Sequence, residues 1–125
     1  MNRAECIVVS GGFDPIHVGH LRMFKEASEL APKLIVIVNN DNFLIEKKGY
    51  VFMPIAERIE IIEGFGVVDM VVESVDKDLT VCETLQWLAK KENVIIFANG
   101  GDRNNTDAIP EADVCRENKI AMKFN

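Results

Sequence analysis

Apolar residues in this chain come in short unbroken runs, separated by stretches in which they recur at helical spacing. "ECIVVS", ending at Ser10, is halted by two glycines, and Leu34 to Val38 reads "LIVIV". Runs of this length bounded by turn residues predict strands buried on both faces. Between them Leu21, Phe24, Ala27 or Ser28, and Ala31 follow helical spacing, and Pro32 stops the helix. A second helix is expected after "NNDN" and "EKKGY", with Pro54 near its first turn, Ile55, Ile59 and Ile62 on one face, and an end near Gly64 or Gly66. "VVDMVVES" predicts a third strand, and the stretch from Thr80 to Lys91 a third helix with Val81, Cys82, Leu85, Leu88 and Ala89 in one stripe. "NVIIFAN", "IPEADVCREN" and "KIAMKF" continue the alternation as strand, short helix and strand.

Strands that alternate with helices and lack in-out patterning predict a parallel sheet covered on both faces. The expected fold is a single Rossmann-like doubly wound α/β domain over residues 1–125, with a five-stranded, mainly parallel sheet. Ligands of such sheets bind at the carboxyl ends of the strands. Three segments fall there, from Ser10 to His20, Asn39 to Met53, and Asn99 to Pro110, each dense in Gly, Asn, Asp, Lys, Arg or His. They are expected as loops that carry a site.

Composition narrows the function classes. The 125 residues are 48% hydrophobic and 27% charged with a formal net charge of −6, so no basic surface is on offer for nucleic acid. Apolar runs fall far short of the ~20 residues of a membrane span. The start, Met1 to Glu5, lacks the apolar h-region of a signal peptide, and a cytoplasmic location is expected. Cys6, Cys82 and Cys115 are odd in number and widely separated, which suggests neither a disulfide framework nor a zinc site.

The chemistry concentrates in "GGFDPIHVGH", Gly11 to His20, which holds both histidines of the chain. Gly11 and Gly12 tolerate positive φ and allow close approach of a ligand. A helix is expected from about Val18, whose first N–H groups can receive phosphate oxygens. His17 and His20 straddle its start, and Gly19 between them leaves room. Asp14 is read either as a site residue or as the cap of a turn. The dinucleotide G-x-G-x-x-G pattern and the P-loop pattern are both absent from the sequence.

"GGFDPIHVGH" resembles the G-x-F-D-x-x-H-x-G-H signature of the cytidylyltransferase-like nucleotidyltransferases. Within that family the chain is most similar to the glycerol-3-phosphate cytidylyltransferases, and it also resembles the adenylyltransferases acting on heptose phosphates. The resemblance implies transfer of CMP or AMP from CTP or ATP to a small phosphorylated or phosphonylated alcohol, with release of pyrophosphate. Gly11, Gly12, Phe13, Asp14 and Gly19 then belong to the nucleotide-binding signature. His17 and His20 fall on the histidines that hold the phosphates, Lys47 on the catalytic lysine, and Arg58 on the arginine of an E-R pair with Glu57. "NGGDR", Asn99, Gly100, Gly101, Asp102 and Arg103, resembles the loop that lies against base and ribose. Mg²⁺ is expected to bind chiefly through the triphosphate and water, without a protein cage. In-line attack without a covalent intermediate and a homodimeric assembly are expected. The family's Ser/Thr-rich segment G-I-S-T-T has no counterpart in "AMKFN", so a nucleotide-binding module of the same fold is the alternative expectation.

Overall fold

The structure, a computed structural model, describes residues 3–99 and 110–124. Among them β1 (Glu5–Gly11), β2 (Lys33–Val38), β3 (Met70–Glu73), β4 (Asn93–Asn99) and β5 (Ala121–Phe124) form one sheet in the order β3-β2-β1-β4-β5. Every pairing is parallel, where the sequence predicts a mainly parallel sheet. Successive strands step outward from β1 to β2 and β3, and the chain then crosses to β4 on the other side. The reversal of strand order therefore lies between β1 and β4, where a doubly wound sheet opens a crevice.

Side chains of a strand alternate between faces, so β1 serves two cores at once. Cys6 and Val8 pack with Ile35, Ile37 and Phe97 and with Leu85, Leu88 and Cys115. The first two of those helical residues come from α4 (Cys82–Lys91) and the third from α5 (Ala112–Glu117). Ile7 and Val9 point the other way, joining Leu34, Val36 and Val38 with Phe24 and Ala27 of α1 (Val18–Ser28) and Ile62 of α3 (Ile55–Glu63). Each fully buried Val, Leu, Ile or Phe contributes about 1.5–3 kcal/mol over its exposed state. Both faces are thus closed by helices. Cys6, Cys82 and Cys115 are free thiols, two of them buried. No helix among the described residues is long and apolar enough to cross a membrane.

One segment departs from the sequence reading. The stretch from Asn39 to Met53, expected as a loop, contains α2 (Asp41–Lys48). Asn40 caps its start by accepting from Phe43 N at 2.8 Å, and Gly49 ends it in the left-handed region at φ 88°. Its buried residues, Phe43 and Leu44, are adjacent, so the helix shows no apolar stripe in sequence. Lys47 and Lys48 therefore ride the last turn of a helix, where cations complement the helix dipole.

Phe24 links the core to the edge where the strands end. It is fully buried, with its ring centroid 5.3 Å from Phe13 and 5.9 Å from Phe65. Phe24→Ala is expected to lower unfolding free energy by about 3–5 kcal/mol in urea titration, and a loss below about 1 kcal/mol would show that the core closes over the gap.

Candidate active site

Helix α1 starts at the carboxyl edge of the sheet, and the first N–H groups of any helix lack intrahelical partners. The sequence predicts that these groups receive phosphate oxygens. They are instead largely occupied by His17. Gly19 N donates to His17 Nδ1 at 3.0 Å, and His20 N and Leu21 N donate to His17 O. In return His17 N donates to His20 Nδ1 at 3.2 Å, so the two histidines close a reciprocal capping box. Both Nδ1 atoms use their lone pairs as acceptors, and a neutral imidazole then carries its proton on Nε2. Two Nε2–H donors are left for a ligand.

The rings stack with centroids 3.9 Å apart and planes 30° off parallel, and Phe13 meets His20 edge-on at 5.0 Å. Burial first, and then the neighbouring His17, hold His20 below the ordinary histidine value. Gly19 is required for this geometry, because a Cβ there would lie 2.8 Å from His17 Cε1. The roles of the first two glycines differ from expectation. Neither Gly11 nor Gly12 takes positive φ; Phe13 does, at 52°. A Cβ on Gly11 would lie 2.8 Å from Phe13 Cζ, so that glycine makes room for the aromatic ring.

Arg58, which the resemblance places among the catalytic residues as the arginine of the E-R pair, is fully buried. Its Nη1 donates to Gly12 O at 2.8 Å and Asn39 O at 2.6 Å, its Nε to Met53 O at 2.8 Å, and its Nη2 to Asp41 Oδ1 at 2.6 Å. One guanidinium fork thus fixes the ends of β1 and β2, the start of α2 and the entry to α3. Its geometry is that of a positioning residue, whereas its neighbour Glu57 is exposed. Asp14 is committed as a turn cap. Its carboxylate accepts from Phe52 N and Met53 N and pairs with Lys48 Nζ at 2.8 Å. Burial opposes that charge, but the Lys48 hydrogen bond, the two N–H donors and the Lys48 charge outweigh it and hold the carboxyl below its ordinary value.

A cleft of about 350 Å³ opens between these groups, lined by Gly12, Phe13, Asp14 and Pro15, by His17 and His20, and by Asn39, Phe43, Leu44, Lys47 and Lys48. Lys47 is exposed and has no carboxylate partner among the described residues, its Nζ lying 5.7 Å from the Phe43 ring centroid. The signature histidines and Lys47 thus line one cleft. Gly100, Gly101, Asp102 and Arg103, and the side chain of Asn99, lie outside the described residues. Asn39, Phe43 and Leu44 were not singled out by sequence reasoning, although the cap pair Asn40 and Gly49 could have revealed the helix that presents the last two. Among the described residues no cluster of three or more His, Cys, Asp or Glu is placed to hold a metal ion.

Comparison with known proteins shows the family to which this chain belongs and the fold it shares. The family described as cytidylyltransferase-like matches residues 8–122. The FAD synthase of Pyrococcus abyssi is 42% identical over 104 residues, which cover 82% of this chain and 67% of that protein. The FAD synthase of Thermococcus sibiricus is 37% identical over 101 residues, covering 78% of this chain and 64% of that protein. The bifunctional protein HldE of Photobacterium profundum is 32% identical over 108 residues, 84% of this chain but 21% of that protein. The chain thus spans about two thirds of the FAD synthases and about a fifth of the longer relative. A lipopolysaccharide core biosynthesis protein from Thermoplasma volcanium shares the fold, with a TM-score of 0.71 at 20% identity over 97% of this chain and 93% of that one.

Two outcomes follow from the site's construction. Arg58→Ala leaves three carbonyls and a carboxylate without their donor and is expected to cost about 3 kcal/mol or more of stability, read by urea unfolding. A near-neutral effect would refute its clamping role. A depressed His20 value means that the unfolded chain takes up the proton first, so the stabilisation is present above the ordinary histidine pKa and is lost as pH falls through the folded value. Between about pH 7 and pH 5 the Tm of the wild type should fall more steeply than that of His20→Gln. Parallel curves would show that His20 is not the group responsible.

Proposed function

Because the chain belongs to the cytidylyltransferase-like family, we propose that it transfers a nucleotidyl group from a nucleoside triphosphate to a phosphorylated small molecule and releases pyrophosphate. The observation that carries this reading is the pairing of two Nε2–H donors with Lys47, which has no carboxylate partner among the described residues, on one small cleft at the carboxyl edge of the sheet. ATP is the favoured donor. FAD contains an adenylyl group joined to a flavin phosphate, so the two FAD synthase relatives support adenylyl transfer. CTP is the second reading, supported by the likeness of the Gly11 to His20 signature to that of the glycerol-3-phosphate cytidylyltransferases.

In the proposed reaction an oxygen of the acceptor phosphate attacks the α-phosphorus in line with the departing pyrophosphate. A new P–O bond forms as the α–β bridging bond breaks, and its electron pair leaves on pyrophosphate. His17 and His20 donate from Nε2 to oxygens on which charge grows, and Lys47 supplies the positive charge. The capping bonds at Nδ1 hold both rings in place before substrate arrives. None of the described residues lining the cleft is a Ser or Cys that could form a covalent intermediate. The donors of this cleft suit phosphate oxygens, and its carboxylate, Asp14, is engaged by Lys48 and backbone N–H groups. Mg²⁺ would therefore be held by the phosphates and water, where it neutralises charge on them.

Pyrophosphate release with Mg²⁺ and either ATP or CTP, offered FMN or glycerol 3-phosphate, tests the reading. ATP with FMN is expected to give the faster turnover, and no release from any combination would overturn it. His17→Ala and His20→Ala should each lower kcat by about 10²–10³, with a cap loss of about 1 kcal/mol in stability. Wild-type kcat in either variant would remove that histidine from the mechanism. Lys47→Ala should impair turnover more than Lys48→Ala, whose ammonium is tied to Asp14 and should register mainly in stability. Equal small effects on kcat would show that Lys47 is only a solvated charge.

A further inference from the structure

Two adjacent asparagines follow β2, and they are used in opposite ways. Asn40 is saturated: its Oδ1 accepts from Phe43 N, and its Nδ2 donates to Ser74 O at 3.0 Å and Asp76 O at 3.1 Å. Asn39 is 6% exposed, and its Oδ1 is the one buried side-chain oxygen or nitrogen among the described residues without a hydrogen-bond partner. The backbone of Asn39 is meanwhile fixed at both ends, its N–H donating to Gly11 O at 2.9 Å and its carbonyl accepting from Arg58 Nη1 at 2.6 Å. Native folds leave few buried acceptors in that condition.

The same cleft holds a donor in a matching condition. Lys47 is exposed and has no carboxylate partner among the described residues, whereas the ammonium of Lys48 beside it is taken by Asp14. Asn39, Phe43 and Lys47 follow one another at intervals of four residues, and all three line the cleft. A long side chain on a helix lies back toward the N-terminus, over the residue four before it. Lys47 does so: its Nζ lies 5.7 Å from the Phe43 ring centroid, which carries it toward the end of α2 that Asn39 precedes. An ammonium has three donors and no acceptor. On a flexible four-carbon stem it must be ordered whenever it meets a phosphate.

We propose that Asn39 is a positioning residue for Lys47, a proposal that rests on the nucleotidyl-transfer reading above. When a polyphosphate enters the cleft, the Asn39 side chain turns its Oδ1 toward Lys47 and accepts one ammonium N–H, and the other N–H groups point at phosphate oxygens. The turn breaks no hydrogen bond of Oδ1, because that atom has none in the free protein. The Phe43 ring supports the lysine stem. Asn39 touches no reacting atom and acts through the charge that it holds in place.

Calorimetric titration of inorganic tripolyphosphate with Mg²⁺ into the wild type, Asn39→Leu, Lys47→Ala and the double variant reads the coupling between the two residues. Asn39→Leu should weaken binding about fivefold or more when Lys47 is present, and less than about twofold in the Lys47→Ala background. Asn39→Ala, a smaller replacement, should give the same contrast. In the wild type saturated with tripolyphosphate, a ¹H–¹⁵N spectrum selective for lysine ammonium groups should show a slowly exchanging Lys47 signal, and Asn39→Leu should lose it. Equal losses of affinity in both backgrounds would mark an asparagine that only shapes the cleft and would overturn the proposal. A wild type that does not bind tripolyphosphate would overturn it too. Coupling between Asn39 and Lys47 without pyrophosphate release from ATP or CTP would instead leave the anchor standing and count against the nucleotidyl-transfer reading.

Discussion

A helix that begins at the edge of a parallel sheet presents N–H groups that must find partners, and in this protein histidines meet that demand. His17 and His20 cap each other's turn through Nδ1, and that single exchange sets tautomer, ring orientation and spacing together. Gly19 is forced by the close approach of the His17 ring, and Phe13 takes positive φ to place its own ring against His20. A capping box normally serves stability. Here the same bonds leave Nε2–H groups fixed in advance, so the cost of organising the donors is met during folding.

The second constraint is Arg58. Buried cations are expensive unless every donor is used, and the four contacts of this guanidinium join the segments that surround the cleft. Asp14 and Lys48 tie the loop ahead of α3 to the turn that precedes the histidines. The charged residues near the cleft thus divide by task. Arg58, Asp14 and Lys48 hold backbone in place, Asp41 pairs with Arg58, and Lys47 has no carboxylate partner among the described residues. Asn39 has its backbone carbonyl clamped by Arg58 while its Oδ1 is buried without a hydrogen-bond partner.

The sheet was legible because its strands are buried on both faces, and continuous runs such as "LIVIV" have few other uses in a short chain. Helix α2 was not, since an eight-residue helix whose buried residues are adjacent has no periodic signal. The histidine pair stood out by composition and spacing, and the resemblance it carried agrees with the family match. The division of labour among the charges could not be read. Lys47 and Lys48 are neighbours in one basic cluster, Glu57 and Arg58 differ in burial only because of what packs above α3, and Asn39 and Asn40 are identical in sequence yet opposite in bonding. Such distinctions depend on which atoms the tertiary fold brings within about 3 Å, a property that local pattern does not contain.

The central claim is that the cap fixes both imidazoles with bare Nδ1 and protonated Nε2. The chain has two histidines, so a long-range ¹H–¹⁵N correlation spectrum of the free protein near neutral pH resolves their ring nitrogens without ambiguity. Both rings should show a pyridine-like Nδ1 and a pyrrole-like Nε2, with separate signals for each nitrogen. Averaged nitrogen shifts from exchanging tautomers, or a pyrrole-like Nδ1 on either ring, would contradict the claim that folding sets the donors in advance.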